Sequence, residues 1–426
     1  MTHGTVGVTS GGIVRRRHGH LRAALTVVTA WGVLAGAGAA EGARATAAPG
    51  TLHRLPAVRL APGVQYSAFR MTVPGGVAHG HLLTVDLGAP QVSVDLLYPG
   101  AVGARSPVSR LAAARRAVGA VNGDFFHITE TQHPGVEPTG ASVGPAISSG
   151  RALKAAVPDG QRFGPALPPG TTTHDVLGVG RDRRARLDRL TLRGAVLTAR
   201  RTLPLRGLNQ YALPVNGIGA YTSRWGPASR VRATCGTDTD RAAPCSDTTY
   251  EVTVGRGRVR AVARRPGSGA IAPGSVVLVG REEGARRLRA LRPGDPVRVR
   301  HRLVGRGGSP LRFAVGGFPV LRERRPLPGL DTTTRAVRTG AGIGDGGRRL
   351  YLLSLDGTRG EPGLTIAELA DALGRLGARD GMDLDGGGSS TLVTRAPGSA
   401  DTVVRNHPSG GAERPVANAV GVFSAG

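Results

Sequence analysis

Glycine and proline interrupt this chain so often that short strands joined by turns are favoured over long helices. The 426 residues include 67 glycines and 30 prolines, which are scattered between apolar segments and form no repeat or low-complexity block. Both residues are unfavourable inside helices and supply the backbone conformations that turns require. Hydrophobic residues make up 40% of the chain, which suffices for a sizeable core.

The N-terminal third predicts strands followed by a short helix. Segment 91–96 alternates polar and apolar residues, and segment 82–87 is apolar on both faces; both patterns predict strands. A helix is predicted next, with Ser106 as its N-cap, Pro107 at its first position and Gly119 at its end.

The C-terminal part repeats this layout. Thr365 and Glu368 form a predicted capping box, and Gly377 is expected to close the helix. In the strand predicted at residues 382–385, Asp383 and Asp385 lie on the same face, because side chains alternate along a strand.

The middle of the chain, residues 151–312, has further strand signals and almost no helical periodicity. The predicted strands there cover residues 251–254, 274–279 and 296–299. The whole pattern predicts an α+β fold with largely antiparallel or mixed sheets and few helices.

Residues 1–48 are interpreted as an export signal. Four arginines, Arg15, Arg16, Arg17 and Arg22, precede an uncharged apolar stretch at residues 23–40. An uncleaved membrane anchor is the alternative, but the stretch is short and rich in alanine and glycine. Residues 49–105 then supply N-terminal strands that lead into a domain at residues 106–426.

Cysteine usage and charge agree with an exported protein. The only two cysteines, Cys235 and Cys245, are ten residues apart in a turn-rich segment that suits a local disulfide. The net charge of +27 comes from dispersed arginines, with Lys154 as the single lysine, and 4% aromatic residues give no stacking surface. We therefore expect no nucleic-acid partner, whereas an anionic cell-wall glycan fits the charge.

The loop at residues 385–391, with the sequence DGGGSST, carries the strongest chemical signal. Three successive glycines allow close approach to a ligand, and their amides could bind an anion. An ordinary turn is the alternative. A calcium loop is disfavoured because the later ligands and the distal glutamate are missing. Asn122 and Asp356, like Asp385, lie where a predicted strand meets a glycine turn, a common place for catalytic groups.

These motifs resemble the phosphodiester glycosidase family over roughly residues 70–423. The C-terminal pieces carry most of the likeness: residues 338–342 (RTGAG), 354–357 (SLDG), 363–370 (GLTIAELA), 384–391 (LDGGGSST), 406–408 (NHP) and 413–419 (ERPVANA). Earlier pieces are residues 121–126 (VNGDFF), 208–209 (LN), 220–222 (AYT), 293–295 (PGD) and 316–321 (GGFPVL). The chain departs from the family pattern at Asp124, where a second glycine is common, and at Phe318.

The resemblance implies hydrolysis of the glycosidic C–O bond of a sugar 1-phosphodiester. We expect no cofactor and no metal. The resemblance implies the following roles: Asp385 and Asp356 as catalytic carboxylates; Arg338 and Arg414 as phosphate ligands; Gly386, Gly387, Gly388, Ser389 and Ser390 as amide and hydroxyl donors; Asn122, Asn406 and Asn418 as sugar ligands or loop braces; and Asp124 as a determinant of substrate choice. His127, His133 and Glu137 either shape a subsite or belong to an ordinary polar loop.

Two rival functions remain at this stage. The first is a non-catalytic envelope module that binds anionic polysaccharide with the same glycines and arginines. The second is a metal-dependent phosphodiesterase, which is disfavoured because histidines and aspartates are not clustered at metal-site spacing.

Overall fold

The computed structural model describes residues 50–425, and these residues form antiparallel sheets almost throughout. The strands, in chain order, are β1 (Leu52–Arg54), β2 (Val58–Ala61), β3 (Val64–Val73), β4 (Gly76–Asp86), β5 (Val92–Leu97), β6 (Gly119–Asn122), β7 (Ala146–Ser148), β8 (Arg151–Lys154), β9 (Asp175–Gly180), β10 (Ala185–Arg189), β11 (Thr191–Thr198), β12 (Thr202–Pro204), β13 (Gly207–Leu208), β14 (Ile218–Thr222), β15 (Thr249–Gly255), β16 (Arg258–Ala263), β17 (Ser275–Arg281), β18 (Val297–Val304), β19 (Leu311–Gly316), β20 (Phe318–Arg322), β21 (Arg325–Pro326), β22 (Thr339–Gly344), β23 (Arg349–Leu355), β24 (Asp380–Leu384), β25 (Leu392–Arg395), β26 (Thr402–Val404) and β27 (Ala419–Ser424). The α-helices are α1 (Val108–Ala114), α2 (Glu283–Leu288) and α3 (Ile366–Arg375).

The largest sheet has nine strands and joins strands β1–β4 to strands β20–β24. Its order is β1-β3-β4-β23-β22-β24-β20-β21, with β2 paired to β3. A second sheet, β26-β25-β6-β27-β5, packs against it: Gly119 of β6 lies so close to Leu83 of β4 that an added β-carbon would meet the leucine side chain at 2.8 Å. Buried side chains of both sheets, including Leu83, Val121 and Leu353, share one hydrophobic core.

The middle of the chain forms three smaller sheets. Their orders are β10-β9-β19-β7-β8, β12-β11-β18 and β13-β14-β17-β15-β16. Among the strand pairs of the described residues, only β13 and β14 run parallel. The predicted sheet-rich fold with few helices therefore agrees with the structure, as do the strands predicted at 251–254, 274–279 and 296–299, which lie in or overlap β15, β17 and β18.

Two helix predictions need correction. Ser106 does not cap α1, because its backbone pairs with Val416 and thus continues the extended chain; Pro107 precedes the first helical residue. The helix ends at Ala114, and Gly119, predicted to end it, is instead the first residue of β6. The six-residue helix α2 inside the middle segment was not predicted.

The second predicted helix has the expected ends. The Thr365 hydroxyl accepts a hydrogen bond from the Glu368 amide, and the Glu368 carboxylate accepts one from the Thr365 amide, so the capping box is confirmed. Gly377 follows the last turn with a φ of +106°. Helix α3 packs against β20, β22 and β24 and thereby supports the strand that leads to Asp385.

The predicted disulfide between Cys235 and Cys245 is present. Within residues 50–425, no helix is long and apolar enough to span a membrane. The predicted export signal at residues 1–48 lies outside the described residues.

Candidate active site

Asp385 lies directly after β24, where the nine-stranded sheet meets the sheet that contains β6. Leu384, the last residue of β24, pairs with Thr339 in β22. The Asp385 amide donates to the carbonyl oxygen of Gly123, just beyond β6, over 2.9 Å. One strand end from each sheet therefore fixes the backbone of Asp385, so the carboxyl group projects from a rigid support.

The glycines after Asp385 let the loop run close to the chain before β22. A β-carbon at Gly386 would lie 2.6 Å from the carbonyl oxygen of Val337. Gly387 has a φ of +58°, in the left-handed region that favours glycine, and its amide donates to the same carbonyl oxygen over 2.7 Å. The loop geometry requires glycine at both positions.

Most amides of this loop are used inside the protein. A short 3₁₀ turn, Gly387–Ser389, lets the Ser389 and Ser390 amides donate to the carbonyl oxygens of Gly386 and Gly387 over 3.2 and 3.1 Å. Only the Gly388 amide in this turn donates to no described residue. The predicted anion-binding amides thus reduce to one, next to the hydroxyl of Ser389.

The Asp385 carboxyl group is partly buried and exchanges protons near neutral pH. Burial raises its pKa to about 7, and the negative charge of Asp124 acts in the same direction. Hydrogen bonds from the Ser389 hydroxyl and the Gly386 amide, together with the charge of Arg414, oppose this rise because they favour the carboxylate. A carboxylate with such a pKa suits general base work at neutral pH.

Asp383 lies on the same strand face as Asp385, as its spacing predicts, but its surroundings differ. Its side chain is buried, and neither carboxyl oxygen has a hydrogen-bond partner among the described residues. Burial raises its pKa to about 7; Arg338 and Arg162 lower it, and Asp385 raises it. Asp383 was not among the predicted site residues, although the alternation of the strand placed it beside one.

Asp124 approaches the same region from the second sheet, and the charge of the buried Lys154 acts on it. Its carboxylate accepts a hydrogen bond from the Gly144 amide over 2.6 Å. Burial raises the Asp124 pKa to about 6, while the charge of Lys154 opposes the rise. Burial lowers the Lys154 pKa to about 7, and its ammonium group donates to the backbone carbonyl oxygens of Val143 and Ala155 over 3.1 and 2.7 Å.

Arg162 is the cation between these carboxyl groups, and the sequence analysis missed it. Its guanidinium lies 5.0 Å from the ring centre of Phe125 and 5.4 Å from that of Phe318. Burial lowers its pKa, and the charges of Asp124 and Asp383 oppose that effect. Both Lys154 and Arg162 come from the middle segment, far from residue 385 in sequence, so no local motif indicates them.

The two predicted phosphate ligands differ in accessibility. Arg338 is buried and donates to the backbone carbonyl oxygens of Leu364 and Thr334 over 3.0 and 2.9 Å, so it braces the chain before β22. Arg414 is exposed, and its guanidinium reaches the Ser389 hydroxyl at 3.4 Å beside the loop. Of the two arginines, Arg414 is the one placed to meet an incoming anion.

The three predicted asparagines are buried and brace the loops. Asn122 donates to the carbonyl oxygen of Asp385 and accepts from the Thr391 amide. The side chain of Asn406 bonds to the backbone of Leu355, Ser390 and Leu392, and that of Asn418 accepts from the Asp124 amide over 3.0 Å. The hydroxyl of Ser390 lies within hydrogen-bond distance of that of Thr339, at 3.0 Å, and is buried. Of the two predicted roles, these contacts favour bracing.

Asp356, the second predicted carboxylate, belongs to a separate cluster. It follows β23, two strands from β24, and strand spacing alone separates the two strands by about 10 Å. His81 donates to Asp356 from Nε2 over 3.2 Å and accepts from the Tyr66 hydroxyl at Nδ1. Burial would raise the pKa of Asp356, but its hydrogen bonds from His81 and from the His407 amide outweigh burial and lower it to about 2.

The histidines after Phe126 also lie in a network of their own. His127 and His133 are buried, and each lies 3.0 Å from a carboxylate oxygen of Glu130, which also pairs with Arg232. Glu137 is exposed. Within residues 50–425, the one group of three potential ligands gathered within 4.8 Å is His133 with Cys235 and Cys245, and both cysteines are held in the disulfide.

We call Asp124, Asp383 and Asp385 the carboxylate cluster. Buried or partly buried cations face it, and its three pKa values of about 6 to 7 mean that its protons exchange at neutral pH. Such a site can activate water or stabilise positive charge that develops on a substrate. Fold and site together define a sheet-rich protein with a candidate carboxylate site.

The family comparison covers the C-terminal part of the chain. Residues 248–423 match the sequence model of the phosphodiester glycosidase family, which confirms the predicted resemblance for that part of the chain. The matched segment contains Asp383, Asp385, the glycine loop and Arg414, whereas Asn122 and Asp124 lie outside it. No curated protein matches the chain.

Two of the three solved structures compared share the fold at low sequence identity. A hypothetical protein from Synechocystis has a TM-score of 0.66 and 19% identity over 87% of this chain, which spans 63% of that protein. A protein of Burkholderia pseudomallei described as exported has a TM-score of 0.65 and 20% identity, over 88% of this chain and 97% of that one. The catalytic domain of zebrafish N-acetylglucosamine-1-phosphodiester alpha-N-acetylglucosaminidase has a TM-score of 0.42 and 14% identity, over 88% of each chain.

Proposed function

We propose that this protein is an exported hydrolase that cleaves the glycosidic C–O bond of sugar 1-phosphodiesters. The substrate is an α-N-acetylglucosaminyl phosphodiester or a related cell-envelope glycan. The observation that carries the proposal is the environment of Asp385. Its carboxyl group has a pKa of about 7, and the charge of the exposed Arg414 acts on it. Both residues lie in the segment that matches the family.

The chemistry of this linkage matches the groups present. Breaking the C–O bond releases a phosphate monoester, which leaves as a stabilised anion and makes little demand on a general acid. Asp385 then serves as the carboxylate that activates water or supports positive charge at the sugar carbon. The guanidinium of Arg414 binds the phosphate oxygens, since its planar set of donors suits that geometry.

The supporting residues keep the carboxylate in place. Asn122, Asn406 and Asn418 bond to the backbone around the loop, and Arg338 holds the chain before β22. We keep Asp356 as the second proposed catalytic carboxylate. Because Asp356 is separated from Asp385, its role needs an independent test.

Export is supported by the disulfide. The bridge between Cys235 and Cys245 suits an oxidising compartment, where such bonds persist. The predicted signal at residues 1–48 fits the same location. The dispersed positive charge of +27 suits an anionic cell-wall glycan as partner.

The test is hydrolysis of a methyl phosphodiester of α-N-acetylglucosamine 1-phosphate by the purified protein, with free sugar and sugar phosphate measured separately. We expect free sugar from the wild type and a loss of at least about 100-fold in kcat/KM for Asp385→Asn. Asp371→Asn is the matched control, because Asp371 is an exposed aspartate paired with Arg375. Samples with EDTA test dependence on a metal.

Each other outcome points to a different function. Sugar phosphate as the product would indicate P–O cleavage and contradict the proposal. Binding of the phosphodiester without turnover, across a small panel of sugars, would favour the non-catalytic envelope module. Equal activity of Asp385→Asn and wild type would remove Asp385 from the mechanism.

A further inference from the structure

Asp383 is a buried carboxyl group that the proposed reaction does not use. Its relative exposure is 1%, and both of its oxygens lack a hydrogen-bond partner among the described residues. A carboxylate in that state is costly, because it has lost water and gained no donor. The neutral acid costs far less, so the site favours a proton on Asp383.

The strands on either side of Asp383 explain its lack of partners. In the sheet, Asp383 stands opposite Phe318 of β20 and Gly340 of β22, and neither residue has a polar side chain. The charged groups that act on it are Arg338, before β22, Arg162, beyond β8, and Asp385 itself. The two arginines favour ionisation, whereas burial and Asp385 oppose it, and the pKa of Asp383 is about 7.

Asp385 differs from Asp383 in one respect that divides their roles. The hydroxyl of Ser389 and the amide of Gly386 donate to Asp385, and both bonds favour its carboxylate form. Asp383 has no such donor. The two aspartates are two residues apart, about 6.6 Å along an extended chain, and the charge of Asp385 raises the pKa of Asp383. The missing donors therefore favour the neutral form of Asp383, whereas the donors at Asp385 favour its carboxylate form.

We infer that Asp383 is a positioning residue that makes anion binding beside Asp385 and Arg414 depend on a proton. While Asp383 is neutral, the site accepts a phosphodiester anion. When Asp383 ionises, a second negative charge lies beside Asp385, and the affinity for an anion falls. The inference rests on the proposed function for the class of ligand.

The test measures binding of diethyl phosphate, a monoanion throughout the range used, to the full protein at pH 6.0 and pH 8.5. For the wild type we expect the affinity to fall at least about 10-fold between the two values. For Asp383→Asn we expect a fall of no more than about 3-fold and tighter binding than wild type at pH 8.5. The surface control Asp371→Asn should keep the larger fall.

Three results would overturn the inference: no saturable binding at either pH, no loss of affinity in the wild type, or a full loss retained by Asp383→Asn. The hydrolysis assay is independent of these measurements. Turnover without pH-dependent binding would remove only the role of Asp383. Conversely, pH-dependent binding without turnover would remove only the proposed activity.

A measurement on the wild type tests the inference even if Asp383→Asn does not fold. Carbon-13 NMR of labelled aspartate carboxyl groups should show a buried group that is protonated at pH 6 and ionises at higher pH. Diethyl phosphate should shift that midpoint upward, because the bound anion disfavours a second negative charge. A spectrum in which every aspartate is ionised from pH 5 upward would contradict the inference.

Discussion

The side-chain amide of Asn122 donates a hydrogen bond over 2.5 Å to the backbone carbonyl oxygen of Asp385, which joins the ends of β6 and β24. The oxygen of the same side chain accepts from the Thr339 hydroxyl and the Thr391 amide over 2.9 and 3.0 Å. One buried amide therefore satisfies three groups from two sheets, and it fixes the backbone on both sides of the glycine loop.

Asn122→Ala should destabilise the protein and impair the site together. The change leaves a carbonyl oxygen, a hydroxyl and an amide buried without their partner, which costs about 2 to 4 kcal/mol of unfolding free energy. Denaturant unfolding measures this loss, and hydrolysis of the phosphodiester measures kcat/KM in parallel. Asp371→Asn should leave both quantities near wild type. A fully stable Asn122→Ala protein would mean that water replaces the asparagine.

Asp356 should make stability sensitive to acid. Its pKa in the folded protein is about 2, below the ordinary value of 3.8, because hydrogen bonds from His81 and the His407 amide outweigh its burial. The folded state therefore binds this proton more weakly than the unfolded state. The resulting stabilisation is fully present above the unfolded pKa and is lost as the pH falls through about 2. It amounts to about 2 kcal/mol at neutral pH.

Unfolding free energies of wild type and Asp356→Asn at several pH values between 7 and 2 test this expectation. The difference between the two proteins should shrink as the pH falls, because the wild type loses its advantage while the variant has none to lose. A difference that stays constant over this range would show that the carboxylate of Asp356 is not the source of the acid sensitivity.

Asp124 and Lys154 should show strong coupling. Asp124→Asn leaves the Lys154 ammonium buried with only carbonyl oxygens, and Lys154→Met removes the larger of the two cationic charges, Lys154 and Arg162, that act on Asp124. Each single change should cost about 3 kcal/mol of unfolding free energy, because an unpaired buried charge remains. The double variant should cost clearly less than the sum. Additive effects in this double-mutant cycle would mean that the pair does not interact.

Much of the fold follows from local patterns, and its exceptions have physical causes. The alternation at 91–96 and the capping box of α3 act within a few residues, so the sequence alone indicates them. Ser106 has the composition of an N-cap, but pairing of its backbone with Val416, 310 residues away, overrides that preference. Helix α2 is six residues long and begins after Glu282, which has a positive φ and offers no capping signal.

The site divides in the same way. Asp385 and its glycine loop are a continuous motif, so the sequence identifies them directly. Lys154 and Arg162 reach the carboxylate cluster from another sheet and a 3₁₀ turn, and only tertiary packing brings them there. A sequence motif also does not indicate the environment of a side chain. Arg338 and Arg414 are equivalent as sequence signals, yet Arg338 is buried against carbonyl oxygens and Arg414 is exposed.

The disulfide should stabilise the loop beside Glu130 and its partners His127, His133 and Arg232. Cys235 and Cys245 are ten residues apart, and the Cys235 carbonyl oxygen accepts a hydrogen bond from Arg232, the partner of Glu130. Opening a loop of this length adds chain entropy to the unfolded state and lowers the unfolding free energy by roughly 3 kcal/mol. We expect this loss in the double variant Cys235→Ser, Cys245→Ser and in reduced wild type, measured by denaturant unfolding. A loss in the variant alone would trace the effect to the serines, since reduction removes the same covalent link.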